Sequence, residues 1–301
     1  MQEYIVKGKE VFIGLEDSKR TWKISARCEK IEVHYISIPA VYSVFKSYLR
    51  KHYPNCKVTV IYEAGFKGFE LHDKLVIDGW NSVVTPPNKV TEEKDSRVKT
   101  DKIDCRRLAK NLENGDFKSC FVPDQEQRSD RQISRTLVAI QKDITRVRNR
   151  MRKFLDFHGL GQNLPAGAWN HTHYRLLMEM ELEGALGISL TIYKEQLKHL
   201  MEFKLRLKRE LLKLSKKQRY ATTFKIFESA PGIGWLTAIR LILEWGEDLS
   251  HFKSGKHLSS FIGLTSSEYS TGETVRKGRI TGQGHTFVRS WLIQCAWTAV
   301  K

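Results

Sequence analysis

Acidic side chains capable of metal chemistry sit in three short frames: I-G-L-E-D-S-K at 13–19, I-Y-E-A-G at 61–65 and K-T-D-K-I-D-C-R-R-L-A-K at 99–110. Glu16, with Asp17 beside it, and Glu63 close apolar, strand-like runs. Asp101 and Asp104 open a helix and, three residues apart, share one face of it. Carboxylates gathered from two strand ends and a helix start make an oxygen donor set for hard divalent cations such as Mg²⁺. On a chain of net charge +17, that set points to metal-dependent chemistry on a polyanion, as in a nuclease or recombinase.

Two further frames could handle phosphate. F-E-S-A-P-G-I-G-W-L-T-A-I-R-L-I-L at 227–243 reads as helix, tight turn, helix, similar to a helix-hairpin-helix. In such a turn Gly232 and Gly234 would let backbone amides approach a DNA phosphate without a Cβ in the way. The stretch from Lys256 to His285 is rich in hydroxyls, glycine and cations. It is expected to build no core, and to place a hydroxyl nucleophile beside Arg276, Lys277 and Arg279, which would neutralise phosphate.

The elements that must position these groups follow from periodicity. Alternation predicts strands within 4–38, at 11–15, 21–27 and 31–38. Pro39 is expected to open a helix running to about Leu49. A short strand at 57–62, a helix at 66–78 and a strand around Val83 and Val84 follow, then a polar connector at 86–98 expected to be mobile. Three strands, then strands alternating with helices, is the order of an RNase H-like domain, ending near Pro123.

Beyond it Ile133, Leu137, Ile140, Ile144, Val147, Met151 and Phe154 form a heptad seam. Tyr193, Leu197, Leu200, Lys204, Leu207, Leu211 and Leu214 form a second, with one charged interruption. The two helices are expected to pair as an antiparallel coiled-coil arm or to dimerise. Their outer faces are basic: residues 131–156 hold eight Lys or Arg against two Asp, and 194–219 hold ten against three Glu. Arg146, Arg150 and Lys153 are the nucleic-acid contacts this predicts on the first helix. Three parts result: 1–123, an RNase H-like domain; 124–220, the basic arm; and 221–301, a mostly helical C-terminal domain.

An apolar fraction of 41% and 14 Phe, 10 Tyr and 7 Trp suffice for a packed core and exclude global disorder. Five cysteines without a C-x-x-C pair fit reduced thiols rather than a disulfide framework or zinc site. There is no apolar signal core at the N-terminus and no membrane-length apolar run. The expected location is the cytoplasm of a bacterium or archaeon, at the nucleoid.

I-G-L-E-D-S-K-R-T-W, Y-E-A-G-F-K-G, K-T-D-K-I-D-C-R-R-L-A, P-G-I-G-W-L-T-A and G-L-T-S-S-E-Y-S-T-G with G-x-I-T-x-x-G occur here in that order. Together they resemble the DEDD transposases of bridge-RNA-guided insertion sequences, relatives of the Piv-type DNA invertases. The resemblance implies a RuvC-like RNase H-fold N-terminal domain, a coiled-coil arm and a C-terminal transposase domain. It further implies one or two Mg²⁺ ions on four acidic residues, a C-terminal serine that forms a covalent phosphoserine intermediate with DNA, and a structured noncoding guide RNA that selects donor and target DNA.

Two positions depart from the family pattern. Its first acid is Asp, and that slot here is Glu16, with Asp17 next door on the opposite strand face. Its serine precedes a glycine, and that slot is Thr271, with Ser270 just before it. Either hydroxyl is a candidate nucleophile. The chain stops at A-W-T-A-V-K where relatives commonly continue, which suggests a truncated or decayed copy. Carboxylates and hydroxyls fall in different predicted domains, so the catalytic unit would be folded back or shared within a homo-oligomer, a dimer or tetramer. The alternatives are a metal-dependent endonuclease using water and an inactive nucleic-acid-binding remnant.

Overall fold

The computed structural model describes residues 6–87, 100–165, 169–272 and 274–300. Most of the expected connector at 86–98 lies outside them. The chain divides into two compact units, residues 1–122 and 123–301.

The first unit is built on β1 (Glu10–Asp17), β2 (Thr21–Cys28), β3 (Ile31–Pro39), β4 (Lys57–Glu63) and β5 (Asn81–Thr85), with helices α1 (Tyr42–His52), α2 (Glu70–Ile77) and α3 (Asp101–Asn114). The strands form one sheet in the order β3-β2-β1-β4-β5. β2 runs antiparallel to both β1 and β3, while β4 runs parallel to β1 and β5 to β4. Pro39 closes β3 rather than opening a helix, and α1 starts at Tyr42 after an extended Val41. The β-branched run at 31–38 extends through Pro39, whose missing N–H is tolerated because β3 is an edge strand.

Both sheet faces are covered. Val11, Ile13 and Leu15 of β1 pack with Trp22 and Ile24 against Phe45, Tyr48 and Leu49 of α1 and Leu71 and Leu75 of α2. The opposite face, with Phe12 and Ile61, is covered by Leu108 and Leu112 of α3. By the period-2 rule, Gly14 and Glu16 lie on the α3 side. Thr100 caps α3, accepting a hydrogen bond from the Ile103 amide, and Gly115 ends it in the left-handed conformation at φ 78°. Ion pairs tie α3 to the first strands: Arg27 to Glu113 at 2.7 Å and Arg106 to Glu32 at 2.8 Å.

The second unit contains α4 (Gln125–Phe157), α5 (His171–Glu179), α6 (Gly184–Ser215), α7 (Gln218–Glu228), α8 (Trp235–Trp245), α9 (Gly255–Ile262), β6 (Ser266–Glu268), β7 (Lys277–Ile280) and α10 (Thr286–Val300). α4 and α6 carry the two apolar seams and run antiparallel. Leu137 packs with Leu211 and Leu214 at one end, and Met151 and Leu155 with Leu190 and Leu197 at the other. The charged interruption, Lys204, has its ammonium pushed below the usual lysine range by burial and by Lys208 and Arg148. The root of the pair shares its core with Tyr220 of α7 and Ile239, Ile242 and Leu243 of α8.

The stretch after Lys256 does contribute core. Leu258 and Ile262 of α9 pack with Leu241, Trp245 and Val288. Their i, i+4 spacing supplies an apolar stripe that the surrounding hydroxyls and glycines obscure in the sequence.

Candidate catalytic centre and nucleic-acid interface

β1 and β4 are parallel neighbours, with Leu15 opposite Tyr62. Glu16 and Glu63 therefore stand at the same end of the sheet. Gly14 brings α3 to them: a Cβ built on Gly14 would fall 2.0 Å from the Cys105 carbonyl oxygen and 2.5 Å from the Ala109 amide nitrogen. Only glycine lets the helix backbone cross β1 this closely. Its first turn, with Asp101 and Asp104, thus lies near Glu16, two residues further along the same strand face.

The electrostatics follow. Burial, then repulsion from Glu63, Asp104, Asp101 and Asp17, pushes the Glu16 carboxyl up to about 7. Asp101 accepts a hydrogen bond from Lys23 at 2.7 Å, which holds it below the usual carboxylate range. Asp104, nearly buried, pairs with Arg107 at 2.8 Å. Asp17 pairs with Lys67 at 2.7 Å, which leaves Glu16 as the acid facing the cluster.

Among the described residues, no three acidic, His or Cys side chains converge tightly enough to hold an ion outright. Lys23 and Arg107 draw Asp101 and Asp104 aside. The donor set nonetheless suits a divalent cation. Its oxygens come from rigid elements, and the repulsion that the other acids exert on Glu16 is what a cation would relieve. Glu16, Glu63, Asp101 and Asp104 are the residues that would hold it.

The two candidate hydroxyls lie in the second unit, on the hairpin of β6 and β7. Ser266 pairs with Ile280 and Glu268 with Lys277. The Tyr269 amide donates to the Arg276 carbonyl at 2.9 Å, and Thr271 and Thr274 exchange backbone hydrogen bonds at 3.2 Å. Ser270 Oγ donates to Glu268 Oε1 at 2.7 Å. Arg276, Lys277 and Arg279 are exposed on the same hairpin. Sequence reasoning missed Glu268, which ends β6 two residues before Ser270.

The other predicted contacts have distinct surroundings. Arg146 and Lys153 are exposed on α4, Arg146 pairing with Asp143 at 2.7 Å. Arg150 leans toward α6, donating to Gln196 at 3.4 Å. Gly232, at φ 81°, lies against α10: an added Cβ would meet the Cys295 carbonyl oxygen at 2.2 Å. Gly234 faces open space at the start of α8. An ion cluster centred on buried Glu244 joins α4, α8 and the residue before α10. Arg135 of α4 donates twice to Glu244 of α8, at 3.0 and 2.9 Å, and His285 Nε2 approaches it at 3.2 Å. No helix among the described residues is long and apolar enough to cross a membrane.

Residues 224–301 match the sequence profile described as "Transposase IS116/IS110/IS902 family", and residues 42–159 match the DEDD IS110 transposase profile. Relatives include a candidate transposase, y4qE, of Sinorhizobium fredii, 27% identical over 244 residues that cover 79% of this chain and 57% of that protein. The transposase for insertion sequence element IS1533 of Leptospira borgpetersenii is 25% identical over 203 residues, covering 66% of this chain and 58% of that protein. The matches thus span little more than half the length of these relatives. The two profiles fall on both units and take in Glu63, Asp101, Asp104, Ser270 and Thr271; the chain belongs to the IS110/IS116/IS902 family of transposases.

Proposed function

We propose that this chain is the transposase of an insertion sequence and catalyses metal-dependent cleavage and transfer of DNA strands through a protein hydroxyl. One observation carries the reading. Gly14 admits α3 against β1 so that Asp101 and Asp104 meet Glu16 and Glu63 at one end of the sheet. The sheet order β3-β2-β1-β4-β5, with three antiparallel strands leading into parallel ones, supports an RNase H-like, RuvC-type domain.

Glu16, Glu63, Asp101 and Asp104 would hold one or two Mg²⁺ ions. The chemistry those ions supply is charge neutralisation at the scissile phosphate and the leaving oxygen. Of the two hydroxyls, Ser270 is favoured, because its Oγ already donates to a carboxylate whereas Thr271 is tied by its backbone to Thr274. Ser270 Oγ would attack phosphorus as its proton passes to Glu268. The bond to the leaving sugar oxygen breaks, and that oxygen takes a proton from solvent. Arg276, Lys277 and Arg279 would neutralise the flanking phosphates.

Carboxylates and hydroxyl come from different units, so the catalytic centre would be completed either by the chain folding back on itself or within a homo-oligomer. The antiparallel α4–α6 pair would act as a coiled-coil arm between the RNase H-like and C-terminal domains. Arg146, Arg150 and Lys153 on it, with the open end of the turn at Gly234, would contact nucleic acid, including a structured guide RNA beside donor and target DNA, while Gly232 serves the packing of the turn on α10.

Trapping the protein with element-end DNA in Mg²⁺, then denaturing it, tests the reading. A covalent protein–DNA adduct is expected, lost in Ser270→Ala, retained in Thr271→Ala and absent in Asp104→Asn. Loss in Thr271→Ala alone would move the nucleophile by one residue. Cleavage without any adduct would replace the hydroxyl by water.

A further inference from the structure

An open groove of about 590 Å³ runs between α4 and the start of α10, lined by Val138, Lys142, Arg146, Phe287, Ser290 and Trp291 among others. Its walls combine two chemistries. Phe287 and Trp291 present aromatic surface, and Lys142 and Arg146 are cations one helical turn apart. The Lys142 ammonium stands 4.6 Å from the centre of the Phe287 ring. Behind Trp291, the Arg240 guanidinium lies 3.6 Å from the ring centre, almost wholly buried and with one terminal nitrogen lacking a hydrogen-bond partner. The acid nearest the rim in sequence, Asp143, is occupied by Arg146.

The groove's place in the chain adds to this. β7, with Lys277 and Arg279, leads within a few residues into α10, whose first turn contains Phe287 and no acidic side chain. A ligand fitting these walls has flat aromatic groups and regularly spaced negative charge. An unpaired polynucleotide has both, whereas a duplex keeps its base faces stacked inside.

We propose that the α4–α10 groove holds an unpaired stretch of polynucleotide, a base against the Phe287–Trp291 wall and its flanking phosphates on Lys142 and Arg146. This rests on the reading of the chain as a nucleic-acid enzyme, and it assigns to α10 a strand-holding role that the carboxylates and the hairpin do not supply.

Fluorescence anisotropy of the full chain in EDTA, with labelled oligo-dT, oligo-U and a duplex of equal length, tests it without cleavage. Phe287→Ala should weaken single-strand binding about tenfold while leaving the salt slope unchanged. Phe287→Leu, which keeps apolar bulk but removes the ring, should do the same, so a folding defect cannot mimic the result. Changing Lys142 and Arg146 to Gln should lower the slope of log affinity against log salt by about 0.7 for each phosphate that is no longer neutralised. A weakening confined to oligo-U would assign the groove to RNA and one confined to oligo-dT to DNA; either supports the proposal. Unchanged single-strand affinity in both Phe287 variants, or equal weakening for duplex and single strand, would overturn it. Adduct formation by the unmodified protein in Mg²⁺ is measured separately, so this groove and the proposed activity can fail independently.

Discussion

At Glu16 a single side chain reports on the whole acidic cluster. Its carboxyl is pushed from the usual 4.5 up to about 7. In the unfolded chain it ionises near its ordinary value, so the unfolded state sheds its proton first. Stability therefore falls as pH rises from about 4.5 to about 7 and stays low above that. Glu16→Gln lacks this penalty. In metal-free buffer at pH 8 it should be more stable than the parent by on the order of 1–2 kcal/mol, after discounting for partial exposure. The difference should vanish near pH 4.5 and shrink when Mg²⁺ is added at pH 8. Thermal melts of both proteins across that range check it, and a less stable Gln variant at pH 8 would mean the carboxylate is favourably paired. Alternation along β1 was enough to put Glu16 and Asp17 on opposite faces. What the sequence could not reveal was Lys67, fifty residues on, pairing with Asp17.

Helix α3 is the element on which the cluster depends, and Gly14 is what admits it. Gly14→Ala would drive a methyl group into the Cys105 carbonyl oxygen, so the helix must lift or β1 must bend. The expected destabilisation is about 1–3 kcal/mol, in the range of overpacked cores. It should appear as a lower denaturation midpoint together with loss of metal-dependent cleavage. Wild-type stability in this variant would show that α3 does not press on β1. The seams of α4 and α6 were legible from their heptads, because each helix contributes its own stripe. The packing of Gly14 under α3 was not, since it joins residues about ninety apart. α9 was obscured for a local reason: only Leu258 and Ile262 carry its buried stripe amid serines and glycines.

Across the whole molecule two strongly shifted carboxyls, Glu16 in the first unit and Glu244 in the second, respond to pH with opposite sign. In the first, protonating Glu16 relieves repulsion, so acidification from pH 7 toward 4.5 stabilises it. In the second, burial alone would raise Glu244, but hydrogen bonds from His285 and Arg135 outweigh it and hold the carboxyl down to about 2. Its unfolded value is higher, so its contribution is present above about 4.5 and lost as pH falls from there toward 2. Calorimetry should therefore resolve two transitions that move apart between pH 7 and 3, the second unit's falling at the acid end. A Glu244→Gln variant should flatten that fall. A single transition that shifts uniformly with pH would refute the opposition.

The tight seat of α3 has a chemical corollary. Cys105 is fully buried where the helix backbone meets Gly14, and its thiol, pushed up to about 12 by burial, is kept from forming a thiolate at neutral pH. Alkylating reagents reach it only when α3 leaves the sheet, so its labelling rate is a clock for that departure. Whatever fastens Asp101 and Asp104 to Glu16 and Glu63 slows the clock, and whatever pulls them apart speeds it. The sequence thus carries its own timer for the assembly of its acidic cluster.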